Sequence, residues 1–452
     1  MTVREADVVV VGGGAAGLMA AIAAARGGAS VVLIEGNERV GKTILKTGNG
    51  RCNLSNTAIE GAGGAAPYNH PAFVASVLER YGCEAVRAFF ADLGLLTTVD
   101  AHGWVFPRTR VANSVLDVLL GEMRRQGVGV YTGHAALDIT HGITHDASHG
   151  ITHDATHNVA NGKTQNQAQD APQKHGSSFL ITTAQERFAG RALVCACGVT
   201  PLLATMGAPG VVSSQPVLGP LQTNTAPLKG LDGIRANCRI RLLDEGVLSG
   251  RETVLTEEDG EVLFRSYGIS GIAVFNVSRF ARPGLSLSLD FFPEFSLDEL
   301  RSLLVERSKR CRGTRPGSNH SLSNNSNPGV SGILDGMLHS RLAQAVLRRL
   351  EGTADSSAEG IPLPRLAALL TDYRLSVTGG PSSTQAQVTR GGLATQGFES
   401  HNLQSRLVPG LFAAGECLDI DGPCGGFNLH WAWASGLVAG EAAAQCALNR
   451  IP

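Results

Sequence analysis

The first hydrophobic run, Val8-Val9-Val10-Val11, is wholly β-branched and breaks at once into Gly12-Gly13-Gly14. Such a run suits a parallel strand buried on both faces. Ala15-Ala16-Gly17 and the alanines that follow predict a helix, and Val31-Val32-Leu33-Ile34 predicts a second buried strand closed by Glu35. The uncharged stretch 8–25 approaches the length of a membrane span, but its order of strand, turn and helix formers predicts a strand-turn-helix unit instead. Helical spacing recurs at 71–93 and at 111–125, where Asn113 or Ser114 is placed to cap the second helix. Strands are expected at 128–131, 179–183 and 192–197, the last running into Gly198.

Between the first two of these strands, His141-Gly142-Ile143-Thr144-His145-Asp146-Ala147-Ser148 is followed by a near copy, His149-Gly150-Ile151-Thr152-His153-Asp154-Ala155-Thr156, and a polar tract continues to Ser178. Histidines 141, 145, 149, 153 and 157 would form one stripe on a helix, yet the glycines and β-branched residues oppose a helix. The tract has too little apolar surface to order itself. A disordered insertion over about 140–178 is therefore expected, with adventitious nickel or zinc binding and no physiological metal. From Pro216 the pattern turns to alternation, as in Cys238-Arg239-Ile240-Arg241-Leu242-Leu243, Glu261-Val262-Leu263-Phe264 and Leu285-Ser286-Leu287-Ser288-Leu289. An inserted β domain is predicted over 214–293. Helical periodicity at 295–307 and 332–370 predicts a small helical subdomain over 294–371, with a flexible Ser/Asn/Pro/Gly loop at about 313–331. The nucleotide-binding fold is expected to occupy 1–213 and to resume over 372–452.

At 452 residues the chain exceeds one ordinary core. A net charge of −1 offers no electrostatic case for nucleic acid or an anionic membrane, so the expected partner is a small molecule. Nine scattered cysteines fit a reducing compartment, and residues 1–7 are too short and polar for a signal peptide. A cytoplasmic protein is expected; nothing in the composition indicates an oligomeric state.

The chemistry follows from the glycines. Gly12 permits a tight turn, Gly14 lets backbone approach a pyrophosphate, and Gly17 lets the helix pack close on the strand. Behind them the N–H groups at Ala15 and Ala16 face the same charge, and Glu35 can accept both ribose hydroxyls. These features alone leave NAD and FAD open. The loop Gly41-Lys42-Thr43-Ile44-Leu45-Lys46-Thr47-Gly48-Asn49-Gly50-Arg51-Cys52-Asn53 combines close backbone approach with positive charge for a diphosphate. Near the C-terminus, Leu407-Val408-Pro409-Gly410-Leu411-Phe412-Ala413-Ala414-Gly415-Glu416 reads as a short strand ending in glycine and an acid, suited to a flavin's ribityl chain. Asp421-Gly422-Pro423-Cys424-Gly425-Gly426-Phe427-Asn428-Leu429-His430-Trp431-Ala432-Trp433 then enters a helix through a glycine pair.

Together Gly12-Gly13-Gly14-Ala15-Ala16-Gly17, Gly48-Asn49-Gly50-Arg51-Cys52-Asn53, Gly103-Trp104-Val105-Phe106-Pro107 and the 421–433 motif resemble a bacterial flavoprotein family. Its members are described as aminoacetone oxidase family FAD-binding enzymes or NAD(P)/FAD-dependent oxidoreductases, 3-dehydro-bile acid reductase-like proteins among them. The resemblance spans nearly the whole chain outside the two polar insertions. It implies an α/β fold: a Rossmann-like FAD-binding domain of the two-dinucleotide-binding-domain flavoprotein type, with an inserted β-barrel-like domain and a small helical subdomain. Gly12, Gly14, Gly17 and Glu35 match the family's adenosine diphosphate site, and Lys42, Arg51, Cys52 and Asn53 its second flavin loop. Gly415, Glu416, Gly425, Gly426, Phe427 and Asn428 match its C-terminal flavin segment. Where the family usually carries an Ala-Thr-Gly-Gly turn and a Gly-Asp-Gly-Tyr run, this chain has Cys195-Ala196-Cys197-Gly198-Val199-Thr200-Pro201 and a shortened passage to Gly207.

The implied activity is FAD-dependent hydride transfer to or from a small organic molecule, by reduction or by oxidation. NAD(P)H would be a transient donor, because no second glycine-rich strand-turn-helix unit is evident. No separate catalytic residue is required, since the flavin itself carries the electrons. Cys52 and Cys424 lack a CxxC partner and read as packing or backbone positions, and Trp431 and Trp433 as packing residues. His430 reads as a hydrogen-bonded core histidine. Cys195 and Cys197, two apart on a predicted strand, should point to opposite faces. The alternative is an FAD-dependent RNA-modifying or FAD-carrying interaction protein; its only basic candidate, Arg307-Ser308-Lys309-Arg310-Cys311-Arg312, reads as a solvated loop.

Overall fold

The computed structural model describes residues 2–61, 63–142, 179–205, 210–246, 251–312, 331–351 and 362–448. The predicted His-rich insertion lies outside the described residues from 143 to 178, as do the predicted loop up to 330 and the shortened passage at 206–209. The chain forms two compact units, Met1–Ser214 with Arg390–Pro452, and Gln215–Thr389.

In the first unit the β-branched run lies in the strand Val3–Val11, at the centre of a seven-stranded sheet. It pairs in parallel with Val31–Glu35 on one side and Arg187–Cys195 on the other, and Gly129–Thr132 extends the sheet beyond Val31–Glu35. Burial on both faces explains the absence of alternation. The far edge of Arg187–Cys195 is shared: its first half pairs antiparallel with Phe179–Thr182, its last three residues in parallel with Leu411–Ala413. Asp138–His141 pairs with Phe179–Thr182, placing His141 opposite Phe179, so the chain enters and leaves the insertion at adjacent points.

Helix Ala15–Arg26 packs on the C-terminal helix Phe427–Ala447 through glycine. A Cβ at Gly436 would fall 2.4 Å from the Ala16 carbonyl oxygen, and one at Gly440 2.3 Å from that of Ala20. Four-residue spacing on both helices sets the two contacts one above the other. The spacing at 71–93 resolves into two helices, Pro71–Leu78 and Cys83–Asp92, because Gly82 is extended and restarts the chain. Helix Ala112–Arg125 begins before either predicted cap; Ser114 lies inside it, and its hydroxyl accepts from Thr109 at 2.8 Å.

The second unit holds a closed six-stranded antiparallel barrel, in the order Leu221–Thr223, Gly268–Ser270, Thr253–Arg265, Arg235–Asp244, Ser286–Asp290 and Tyr373–Gly379. Alternation decides which side chains enter it. Cys238, Ile240 and Leu242 are buried, while Arg239 and Arg241 on the other face pair with Asp259 and Glu257. Helices Leu297–Arg312, Ser340–Glu351 and Leu363–Thr371 add Leu300, Leu304, Leu342, Val346 and Leu366 to the core formed by Leu287, Leu289 and Tyr373. No helix among the described residues is long and apolar enough to cross a membrane.

Candidate functional site

The first strand delivers the chain to Gly12 at a φ of +106°, where a Cβ would fall 2.4 Å from the Ala196 carbonyl oxygen. A Cβ on Gly17 would fall 1.8 Å from the oxygen of Gly12. Both positions are closed to any side chain. Gly14 is the extended residue ahead of helix Ala15–Arg26, and no side chain among the described residues caps that helix's first-turn N–H groups. The Gly13 N–H donates to Glu35 Oε2 at 2.6 Å, and Glu35 Oε1 accepts from the backbone and side-chain nitrogens of Asn37 at 2.7 and 2.6 Å. Three of a carboxylate's roughly four acceptor positions are thus filled by the turn itself.

The loop after Glu35 folds back on this turn through a Gly41 N–H bond to the Gly13 oxygen, 2.7 Å. Lys42 is exposed, with Nζ 3.4 Å from Asn37 Oδ1. Asn49 and Gly50 are exposed left-handed residues, and the exposed Arg51 guanidinium donates to the Gly48 oxygen at 3.2 Å. Cys52 differs: its side chain is fully buried and burial pushes the thiol up to about 12, so it offers no thiolate. The Asn53 amide donates to the Val105 and Ser55 oxygens at 3.1 and 3.0 Å.

The Ser55 carbonyl in turn lies against the C-terminal segment. Gly425 and Gly426 both have positive φ; a Cβ on Gly426 would fall 2.4 Å from the Ser55 oxygen, and one on Gly425 2.9 Å from Trp104 Nε1. Asn56 Nδ2 donates to the Gly425 oxygen at 2.9 Å. Phe427 is buried edge-on to Tyr68, whose hydroxyl donates to the Phe427 oxygen at 2.8 Å. Asn428 accepts from the Gly422 N–H at 2.8 Å and donates to the Gly422 and Pro423 oxygens at 2.9 and 3.2 Å. These side chains shape the loop around the glycine pair.

A second grouping surrounds Ala16. A Cβ on Gly415, at a φ of +67°, would fall 2.8 Å from the Ala16 Cβ. The Gly415 N–H donates to Ser435 Oγ at 2.9 Å, and Trp431 Nε1 donates to the Gly415 oxygen at 3.2 Å. Trp433 Nε1 donates to the Leu54 oxygen at 3.2 Å, so both tryptophans are packing residues. Glu416 is half-buried, and burial alone pushes its carboxyl up to about 7. An acid in such a place is poised to bond a hydroxyl. His430 is enclosed between Ser55 Oγ and the Tyr81 oxygen, 2.9 Å each, and burial lowers it to about 4: a neutral core histidine.

Reasoning from the sequence missed Ser55, Asn56 and Tyr68, which with Trp104 of the 103–107 motif brace the glycine pair, and Arg390, which grips the fully buried Asp421 carboxylate at 2.6 and 2.9 Å. The Arg390-Gly391-Gly392 run was the available signal. Cys195 and Cys197 require correction. Their sulfurs lie 3.5 Å apart, because the strand ends at Cys195 and its alternation ends with it. The obligatory glycines, the uncapped helix start and the half-buried acid at Glu416 fit a dinucleotide cofactor laid across the first unit.

The family model described as HI0933-like protein Rossmann domain matches residues 6–442. The 3-dehydro-bile acid delta(4,6)-reductase of Clostridium scindens is 32% identical over 436 residues, covering 92% of this chain and 93% of that protein. The ribosomal RNA dihydrouridine synthase of Escherichia coli is 27% identical over 424 residues, 90% of each chain. Among solved structures, the open conformation of a flavocytochrome c3 fumarate reductase overlays with a TM-score of 0.46 at 16% identity, covering 98% of this chain and 79% of that one. The resemblance carried by the motifs is borne out: the chain belongs to the HI0933-like family of Rossmann-domain proteins.

Proposed function

We propose that this FAD-dependent oxidoreductase reduces an unsaturated carbonyl compound of steroid-like size and apolarity, with NADH or NADPH as a transient donor. The observation that carries the reading is the end-to-end 32% identity with a protein named 3-dehydro-bile acid delta(4,6)-reductase. When bound, FAD supplies the hydride chemistry. The chain's residues hold it. The first-turn N–H groups of Ala15, Ala16 and Gly17, reached past Gly12 and Gly14, take the pyrophosphate, and Glu35 offers its remaining acceptor position to the adenosine ribose. Lys42 and Arg51 add positive charge from the loop that Asn49, Gly50, Cys52 and Asn53 shape. Gly415 and Glu416 meet the ribityl chain, and Gly425, Gly426, Phe427 and Asn428 form the floor beside it.

The test is anaerobic mixing of the yellow protein with NADH and then NADPH, followed by a steroid dienone. Bleaching of the flavin by a nicotinamide and its recovery with the dienone are expected. Reduction by small amines such as aminoacetone and by neither nicotinamide would make the protein an oxidase, and a protein that takes up no FAD would overturn the cofactor assignment.

One observation favours a second reading, reduction of uridine in RNA: the 27% identity with a ribosomal RNA dihydrouridine synthase. The basic run at 307–312 gives it little support. Arg307 donates to the Ile333 oxygen at 2.7 Å and to that of Asp335, and Arg310 pairs with Glu306. Dihydrouridine formed in ribosomal RNA incubated with the protein and NADPH, without turnover of any dienone, would select it.

A further inference from the structure

Where the strand Arg187–Cys195 leaves the sheet, the chain turns so that Cys197 comes back beside Cys195, 3.5 Å between sulfurs. The neighbouring parallel strand Leu411–Ala413 pairs Ala413 with Cys195, and the turn Gly415–Cys417 after it returns a third sulfur to 3.9 Å from each of the other two. Cys195 and Cys417 are buried and Cys197 is partly so. Packing does not demand this convergence. A buried thiol behaves as a small apolar group, and Cys52, Cys83 and Cys238 sit in the two cores without thiol neighbours among the described residues.

The triangle has the dimensions of a coordination sphere. A tetrahedral ion with metal-sulfur bonds of about 2.3 Å holds its sulfurs about 3.8 Å apart. The Gly198 carbonyl oxygen lies 3.4 Å from the Cys417 sulfur and 3.8 Å from that of Cys197, on the same cluster. We propose that Cys195, Cys197 and Cys417 bind one thiophilic divalent cation of the zinc and cadmium class, with the Gly198 carbonyl as the oxygen at the fourth position.

Binding needs no oxidant or reductant. Three S–H groups give up three protons, three metal-sulfur bonds form, and the site carries one net negative charge. A monovalent ion would leave two, a heavier desolvation cost in so enclosed a place. Thiolate donors exclude magnesium and calcium in favour of soft ions. The site is structural: it ties the ends of two parallel strands beneath the turn, since a Cβ on Gly12 would fall 2.8 Å from the Cys197 Cα. This proposal stands apart from the reading of substrate and donor.

The experiment is titration of the full-length, flavin-loaded protein with cadmium under a phosphine reductant. Thiolate-to-cadmium absorption reports sulfur ligation alone and ignores the histidine repeat. One ion per chain, release of up to three protons and a raised Tm are expected. Cys197→Ser and Cys417→Ser should each weaken binding beyond the roughly 10–100-fold that an indirect ligand contact costs, while Cys446→Ser, at an exposed thiol, should leave it unchanged. No absorption band in the wild-type protein, or a band that survives Cys197→Ser with Cys417→Ser, would overturn the proposal. Should the variants fail to fold, a wild-type protein that neither releases protons nor gains Tm with cadmium overturns it equally.

Discussion

A half-buried acid and a buried histidine of the first unit contribute to stability with opposite pH dependence, and separating them tests the electrostatic reading of the site. Burial pushes the Glu416 carboxyl from its ordinary 4.5 up to about 7. The folded state therefore favours the protonated acid: its stabilisation is complete below pH 4.5 and is lost as pH rises through 7. At about 1.4 kcal/mol per pH unit this span is worth about 3 kcal/mol, which partial exposure of the side chain reduces to roughly 2 kcal/mol. His430 has the opposite sign. The Tyr81 carbonyl can only accept, so Nε2 carries the proton and Nδ1 accepts from Ser55; burial lowers the ring from 6.5 to about 4. Its stabilisation is complete above pH 6.5 and is lost as pH falls through 4, again about 3 kcal/mol at most. Between pH 4.5 and 6.5 the two effects nearly cancel. Glu416→Gln should unmask the histidine: urea unfolding of the apoprotein should show the variant gaining roughly 2 kcal/mol on wild type as pH rises from 4.5 to about 7. A variant that tracks wild type at a constant offset across that range would refute the burial argument for Glu416.

Other expectations come from glycine geometry and from thiol burial. Gly17→Ala places a methyl group 1.8 Å from the Gly12 oxygen, so the purified variant should lose its yellow colour; undiminished flavin absorbance would contradict the assigned role of the turn. Gly440→Ala, 2.3 Å from the Ala20 oxygen, should force the two helices apart at a cost of about 1–3 kcal/mol and lower Tm by several degrees; an unchanged Tm would contradict the helix contact. Among the described cysteines, the exposed Cys446 should react first with a thiol reagent, and Cys52 only on unfolding, because its thiol is buried and pushed up to about 12. Rapid labelling of Cys52 in the folded protein would show that the loop is not closed over it.

What was legible in the chain follows from how far each residue's constraint reaches. The turn at Gly12-Gly13-Gly14 could be read because the demand is local: a strand of β-branched residues meets backbone that admits no side chain, and the structure places the Ala196 and Gly12 oxygens where Cβ atoms would go. The barrel strands could be read for the same reason, since alternation is a property of one strand; their closure could not, because Leu221–Thr223 meets Tyr373–Gly379 across some 150 residues of chain. The failures are equally specific. Parity placed Cys195 and Cys197 on opposite faces, but parity holds only while the strand lasts, and it ends at Cys195. Helical spacing ran unbroken over 71–93 although Gly82 separates two helices, because apolar residues continue on both sides of the break. Among the candidate site residues, the backbone demands of the glycines could be read from sequence because they are local. Side chains could not be assigned to a ligand outright, because their capacity is shared: Glu35 already accepts from Gly13 and Asn37, and Asn428 closes its own loop on Gly422 and Pro423. On the proposed reading, cofactor binding would rest chiefly on backbone shape, with Glu416, whose carboxyl is shifted by burial and by no cation among the described residues, as the side chain most open to a bound hydroxyl.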